Sequence, residues 1–424
     1  MSEIKKVCII DGTRIPFCRS GSKYMGMSNK ELMSTALKGL VSKLNLEGKA
    51  VGELSLGAVS KHAADFSLAR ECAIESGLSF ATPTFDVQMA CGTSLEAAIL
   101  VGNKIALGHI DCAIAGGVDT NSDVPIEFSK KFSDRLLRLN GAKTLGQKLS
   151  VLKGFSPKEL LPKLPAVKEA RTGKSMGESC EDMAKTWNIS RFEQDQLALE
   201  SHQKAEAAYQ QGFFDDLITS CAGVKKDNIV RGDTSLDKLN KLRTAFDKSS
   251  KGTLTAGNSS PLSDGASCVF LCSEEYAMKN KLDVMAYLTY SQSAAVDYIN
   301  EEGLLMAPAY AVPKMLERAD LTLQDFDFYE IHEAFSAQVL CTLKAWEDEN
   351  FCKEKLGLEK ALGSIDRSKL NVKGGSVALG HPFAATGTRI VTSLAKMLNE
   401  KGSGRGLISI CTAGGMGVTA ILEK

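Results

Sequence analysis

Short apolar runs alternate with amphipathic helical patterns, and this rhythm constrains the fold of the chain more than any other feature. Lys6–Ile10, Leu54–Val59, Thr84–Val87 and Cys112–Ala115 read as strands, and Lys30–Leu44, Leu68–Ser76 and Ser94–Leu107 as helices. Strands alternating with helices predict an α/β layer with a largely parallel sheet. The rhythm stops over residues 126–253, which read as mostly helical. It returns at Ala266–Leu271 and Val284–Ser291, then at Phe326–Ile331, Gly406–Ile410 and Val418–Leu422. At 424 residues the chain is too long for one ordinary core. The expected organisation is an N-terminal half over 1–278, carrying a helical insertion at about 122–252, and a C-terminal half over 279–424. The two halves share a design in which a loop bearing Cys91 or His381 leads into a small-residue helix and then a strand. That design is consistent with an ancient duplication.

Lys plus Arg and Asp plus Glu each number 51, so no chain-wide nucleic-acid footprint is expected. Charge is concentrated locally. Residues 128–174 hold 12 Lys or Arg against 3 Asp or Glu. Leu145, Leu149 and Leu152 recur there at helical spacing beside Lys148 and Lys153. The residues alone leave two readings open, a basic amphipathic segment lying on a surface and a solvated hairpin packed on its own protein. No signal-peptide pattern and no run of 18 apolar residues is found. With 12 cysteines this points to a reducing cytoplasm. Cys268 and Cys272 read as buried free thiols on one strand face.

Four stretches can carry chemistry. In FDVQMACGTSLEAA a strand leads to Cys91, then Gly92, then Thr93 or Ser94 as a helix cap. A helix N-terminus favours thiolate, so Cys91 is either a nucleophile or a buried structural thiol. In NVKGGSVALGHPFAATG, His381 stands among glycines and small residues, placed as a general base for Cys91. In FYEIHEAFSAQ, an apolar strand is expected to end at Ile331, with His332-Glu333 beginning a helix, so that His332 can point into a crevice at the sheet's carboxyl edge. In LISICTAGGMGVTAI, Cys411 ends a strand, and Ala413-Gly414-Gly415 offer backbone N–H groups to an oxyanion. His62, His109 and His202 have ordinary surface or packing explanations. No cluster has metal-ligand spacing, so no metal is expected. Neither a dinucleotide fingerprint after the first strand nor a Gly-x-Ser-x-Gly elbow occurs.

Taken together and in order, these stretches resemble the thiolase family over nearly the whole chain. GGSVALGHPFAATGTR is similar to its glycine–histidine signature, CTAGGMG to its C-terminal cysteine signature, and MACGTS to its nucleophile site. Many thiolases carry Asn at the position of His332. The His332-Glu333-Ala334-Phe335 form, with the basic insertion, resembles the thiolase subunits of mitochondrial and bacterial fatty-acid-oxidation complexes. The resemblance implies two α/β halves stacked as α/β/α/β/α, with a helical cover over the CoA site. It implies Cys91 as nucleophile, His381 as base and Cys411 as acid/base at the α-carbon. One oxyanion hole would use the N–H groups of Cys91 and Ala413, and the other His381 with His332 or a water it holds. TAGNSSPLSDGAS resembles the CoA-facing loop, with Ser260 on the pantetheine arm; Asn258 and Asp264 read as turn residues. CoA and acyl-CoA are the implied substrates, with no permanently bound cofactor. The implied partners are a second copy or more of the chain, a hydratase/3-hydroxyacyl-CoA dehydrogenase subunit, and a membrane surface touched by 128–174. The implied activity is degradative cleavage of 3-oxoacyl-CoA. Alternatives are a short-chain acetoacetyl-CoA thiolase running in the condensing direction and a non-catalytic acyl-CoA-binding subunit. A ketoacyl synthase is disfavoured, because its chemistry needs no second cysteine like Cys411.

Overall fold

The computed structural model describes residues 4–163 and 168–424; residues 164–167 of the basic segment and 1–3 of the N-terminal half lie outside the described residues. The described residues form ten strands: β1 (Val7–Arg14), β2 (Cys18–Arg19), β3 (Glu53–Leu56), β4 (Thr84–Asp86), β5 (Cys112–Asp119), β6 (Ser263–Ser273), β7 (Ala286–Ala295), β8 (Phe328–Ile331), β9 (Arg405–Thr412) and β10 (Met416–Glu423). The helices of the first half are α1 (Asn29–Lys43), α2 (Leu68–Glu75) and α3 (Thr93–Ala106). Between β5 and β6 lie α4 (Lys130–Gly141), α5 (Leu145–Leu152), α6 (Met176–Thr186), α7 (Arg191–Gln210) and α8 (Leu236–Asn240). They are followed by α9 (Glu274–Asn280), α10 (Ala307–Ala319), α11 (Ser336–Glu347), α12 (Glu349–Glu354), α13 (Ser376–Leu379) and α14 (Thr386–Lys401).

The strands join in the order β4-β3-β5-β6-β1-β7-β10-β9-β8, with β2 on β6. Only β3 with β4, β3 with β5, and β8 with β9 run parallel; the other pairs are antiparallel. The sheet is therefore mixed, not largely parallel. β6 and β10 return beside their neighbours instead of crossing over. The halves repeat one plan: β3, β5, β6 and β1 correspond to β8, β9, β10 and β7 in pairing sense. They meet where β1 pairs with β7 at Cys8–Tyr287 and Ile9–Ala286.

Period-two alternation sorts side chains into separate cores. Val269 and Leu271 of β6 face a central core with Leu95 and Ile99 of α3, Ile390 and Leu394 of α14, and Ile408 and Ile410 of β9. Cys268, Phe270 and Cys272 face the opposite way, onto Leu32, Leu37 and Leu40 of α1. In the second half Leu407 and Ile421 pack outward on Val312 and Leu316 of α10 and Leu340 and Leu343 of α11. Helices α3 and α14 thus lie between the two halves of the sheet, and α1, α2, α10 and α11 lie outside, giving five layers.

Local signals set several helix starts. Ser28/Glu31, Ser175/Glu178 and Ser190/Glu193 form reciprocal capping boxes on α1, α6 and α7. In the basic segment, α4 and α5 bury no residue. Leu137, Leu145 and Leu149 are 70%, 74% and 61% exposed, so this hairpin is not packed on its own protein. Arg135 is not a free surface cation: its guanidinium donates to Glu159 at 2.9 and 3.1 Å, tying α4 to the segment after α5.

Candidate active site

Cys91 and His381 meet because the N-termini of α3 and α14 touch. A Cβ on Gly387 would stand 2.3 Å from the backbone nitrogen of Leu95, so only glycine permits this approach. Ser94 does not cap its own helix. Its Oγ accepts from the N–H of Thr388 at 2.9 Å, capping α14 across the interface between the halves. Thr93 instead folds the turn before α3: its Oγ accepts from the Met89 N–H at 2.9 Å and donates to the Ala90 carbonyl at 2.7 Å. Ala90 has φ 44°, an unusual conformation for a side-chain-bearing residue, directly before the cysteine.

The Cys91 sulfur lies 3.1 Å from His381 Nε2, and His381 Nδ1 lies 2.6 Å from Thr386 Oγ1. An Nδ1–H donated to Thr386 leaves Nε2 free to take the thiol proton. The His381 loop is held by two further bonds. Its own N–H donates to Ser263 Oγ at 3.1 Å, and the Ala384 N–H to buried Asp119 at 2.8 Å.

Burial pushes the Cys91 thiol up to about 12, opposed by the Ala413 N–H at its sulfur. This differs from the thiolate expected at a helix N-terminus, because desolvation outweighs the dipole here. Burial, then the charge of Arg389, pushes His381 down to about 3. The resting pair is thus a neutral thiol beside a neutral base, and the nucleophile forms only as the proton transfers. Cys411 on β9 is buried, and its thiol is held well above the ordinary range by burial and by neighbouring Cys91.

His332 follows β8 in an extended stretch, and α11 begins only at Ser336. Its ring centroid is 4.2 Å from that of His381. Nδ1 lies 2.9 Å from Ser376 Oγ, which also accepts from Arg389 at 2.8 Å. With Ser376 donating to Nδ1, the buried and unpartnered Nε2 presents an N–H to the site. Burial, His381 and Arg389 hold His332 well below its usual range, so it serves as a neutral donor. The sulfur of Cys91 and a ring nitrogen of each histidine all lie within 4.8 Å of one another. Sequence spacing could not show this constellation, because its members are drawn from three distant segments.

Ala413, Gly414 and Gly415 form the tight loop between β9 and β10, with both glycines at positive φ. Glu169, from the inserted segment, accepts from the Gly414 N–H at 2.8 Å. The sequence carries no local signal for this contact.

Beside the site runs a cavity of about 750 Å³ lined by Arg19, Arg231, Lys238, Ser259, Ser260 and Phe246, among others. The Ser260 hydroxyl donates to the Ala334 carbonyl at 2.8 Å, and the residue lines the cavity. Asn258 acts as a turn residue, whereas Asp264 lies within β6 and ties it to the loop after β5. Asn258 Oδ1 accepts from Thr255 N–H at 2.7 Å, and Asp264 from Asn121 N–H at 2.7 Å. His202, on α7, lines the same cavity. His62 and His109 stand apart in loops.

A thiol with a buried base, backbone N–H groups at the sulfur and a second thiol alongside can form and resolve an acyl-thioester. This is an enzyme of covalent acyl transfer. Family models for the N-terminal and C-terminal domains of thiolase match residues 7–275 and 282–424. A 3-ketoacyl-CoA thiolase of Shewanella sediminis is 40% identical, covering 99% of this chain and 97% of that protein. A namesake from Shewanella baltica (strain OS185) is 40% identical over 425 residues, with the same coverage. Among solved structures, the acetyl-CoA acetyltransferase of Bacillus anthracis superposes with a TM-score of 0.82 at 29% identity. Human mitochondrial 3-ketoacyl-CoA thiolase superposes with 0.81 at 26%. Both structural matches cover 100% of each chain. The chain belongs to the thiolase family and is an acyltransferase.

Proposed function

We propose that this chain cleaves 3-oxoacyl-CoA with CoA, releasing acetyl-CoA and a shortened acyl-CoA in fatty-acid β-oxidation. The observation that carries this reading is the 3.1 Å contact between Cys91 Sγ and His381 Nε2, with the Ala413 N–H at the sulfur. His381 takes the thiol proton as Cys91 attacks the 3-oxo carbonyl. The N–H groups of Cys91 and Ala413 hold the resulting oxyanion. The bond between Cα and Cβ breaks, and the electrons pass into an acetyl-CoA enolate whose thioester oxygen is held by His381 and His332. Cys411 gives its proton to the enolate carbon. CoA then enters, its thiol proton passes to a base of the site, and its sulfur attacks the acyl-cysteine. Writing one difficult cleavage as two acyl transfers is the gain of covalent catalysis.

CoA fits the cavity beside the site. Arg19, Arg231 and Lys238 line it and match the phosphates of CoA, and Ser260 faces the pantetheine arm. The names of the 40%-identical relatives favour degradation over condensation.

The exposed basic hairpin α4–α5 is the part of this chain suited to a hydratase/dehydrogenase partner or an anionic membrane. Oligomerisation at least to a dimer accompanies this reading. A cytoplasmic setting agrees with 12 free cysteines, and no helix among the described residues is long and apolar enough to cross a membrane.

Steady-state thiolysis of acetoacetyl-CoA and 3-oxohexadecanoyl-CoA, with Cys91→Ala as control, tests the proposal. Preference for the long substrate, abolished in the variant, supports it. Preference for acetoacetyl-CoA moves the assignment to a short-chain thiolase, and no turnover of either by the unaltered chain supports a non-catalytic acyl-CoA-binding role. Activity surviving Cys91→Ala overturns the mechanism.

A further inference from the structure

Cys91, His332 and His381 bring one sulfur and two imidazole nitrogens within 4.8 Å of one another in a buried pocket. Both rings are anchored at Nδ1 by hydroxyls, Ser376 at 2.9 Å and Thr386 at 2.6 Å. This leaves the two Nε2 atoms as the ligating positions, and that of His332 is buried without a partner. Rings held through the far nitrogen are what histidine-ligated metals require. One thiolate and two imidazoles form a three-ligand set for Zn²⁺, with the fourth position left to water. Metal–ligand bonds of about 2.0–2.3 Å place tetrahedral ligand atoms roughly 3.5 Å apart. The Cys91–His381 pair already stands at 3.1 Å and no pair of the three exceeds 4.8 Å, so closure needs side-chain shifts of about an ångström.

We propose that Cys91, His332 and His381 form a reversible inhibitory site for Zn²⁺. The S–H bond of Cys91 breaks, its proton goes to water and the sulfur bonds the metal. The two Nε2 lone pairs complete the protein's share, and no atom changes oxidation state. His332 then carries its proton on Nδ1, where a lone pair of Ser376 Oγ accepts it. Nucleophile and base are occupied together, so metal and acyl substrate exclude one another. His332 decides the affinity, because Asn at that position would leave only two good ligands. The proposal departs from the absence of metal expected from sequence spacing. It describes a regulator that enters and leaves, not a resident cofactor.

The test is titration of the purified full-length chain with Co²⁺ as a spectroscopic probe, followed by competition with Zn²⁺. The expected result is one ion per chain, a thiolate-to-cobalt charge-transfer band, and at least about tenfold weaker binding in His332→Asn and in Cys91→Ser. Circular dichroism verifies that the variants are folded. In the unaltered chain, Zn²⁺ should slow iodoacetamide labelling of Cys91, read by peptide mass spectrometry, by about tenfold or more, and EDTA should restore it. This arm needs no variant and no turnover, so it stands apart from the thiolase reading. Absence of the charge-transfer band, affinity indifferent to His332→Asn, or labelling of Cys91 unchanged by Zn²⁺ each overturns the proposal.

Discussion

The carboxylate of Glu169 accepts a hydrogen bond from the backbone N–H of Gly414 at 2.8 Å, joining the inserted segment to the loop that aims Ala413 at Cys91. The Tyr298 hydroxyl donates to the other carboxylate oxygen at 3.3 Å, and a Cβ on Gly415 would strike the Tyr298 ring. The loop is thus pinned at both Gly414 and Gly415. A hydrogen bond to a charged group is worth about 1.5–3 kcal/mol. Glu169→Ala should lower kcat for thiolysis roughly tenfold or more, leaving KM for CoA little changed. Glu169→Gln keeps an acceptor and should recover most of the rate. Equal losses in both variants, or a change confined to KM, would show that the carboxylate does not position this loop.

The approach of α3 to α14 at Leu95 and Gly387 makes a second prediction. Gly387→Ala forces backbone against a methyl group at 2.3 Å. Overpacking of this kind costs about 1–3 kcal/mol, and here it separates Cys91 from His381. The expected outcome is a lowered Tm and a kcat reduced about 100-fold, the cost of misplacing reacting groups by about an ångström. Gly146→Ala, on exposed α5 with nothing within 4 Å of the new methyl, should change neither. A kcat unaffected by Gly387→Ala would mean that the dyad does not depend on this contact.

His202 supplies a pH dependence of stability. Its Nδ1 accepts the Arg231 N–H at 3.2 Å and must be neutral to do so. Burial, then the charge of Arg231, lowers it to about 4, against about 6.5 when unfolded. Between these values the unfolded chain binds a proton that the folded chain refuses. The contribution, about 3 kcal/mol, is therefore present above pH ~6.5 and lost as pH falls to ~4. His202→Gln retains an acceptor for Arg231. Urea midpoints measured from pH 4 to 8 should fall less steeply for the variant, by the equivalent of one proton. Parallel curves would assign the acid sensitivity to other groups.

Much of this architecture is legible from periodicity, because strands such as β5 and β6 bury both faces and the central helices carry small residues where backbones meet. Periodicity does not show where long-range polar contacts decide the structure. β1 runs on through Gly12, Thr13 and Arg14 after its apolar run ends, since they pair with Val269, Cys268 and Ser267. Arg14 is itself buried, paired with Asp227 at 2.6 and 2.7 Å. Ser94 stands where a helix cap belongs, yet it caps a helix nearly three hundred residues later. The strand-end or glycine-rich settings of Cys91, His332, His381 and Cys411 distinguish all four in the sequence. Glu169 has no such setting, because a carboxylate in a basic loop is ordinary until Gly414 is placed beside it. The electrostatics of Cys91 differ from the sequence expectation for the same reason: a helix N-terminus is visible in sequence, and the desolvation that outweighs it is not.

The hairpin α4–α5 yields the last prediction. Fully exposing a leucine forgoes about 1.5–3 kcal/mol of burial, and Leu137, Leu145 and Leu149 forgo most of it beside Lys148 and Lys153. Removing side chains that nothing in the chain covers should not unfold it. Leu145→Ser with Leu149→Ser should therefore leave Tm within about 1 °C, because surface substitutions lie within about 0.5 kcal/mol. Thiolysis of soluble acetoacetyl-CoA should also be unchanged. The same pair should abolish co-sedimentation with anionic vesicles or pull-down of a hydratase/dehydrogenase partner, whichever the unaltered chain shows. Replacing Lys130, Lys131 and Arg138 by Gln should weaken that association more at low salt than at high, since screened charge is what is lost. Arg135 is left in place, because its bonds to Glu159 hold the hairpin together. If association survives both sets of substitutions, the hairpin is not the docking surface.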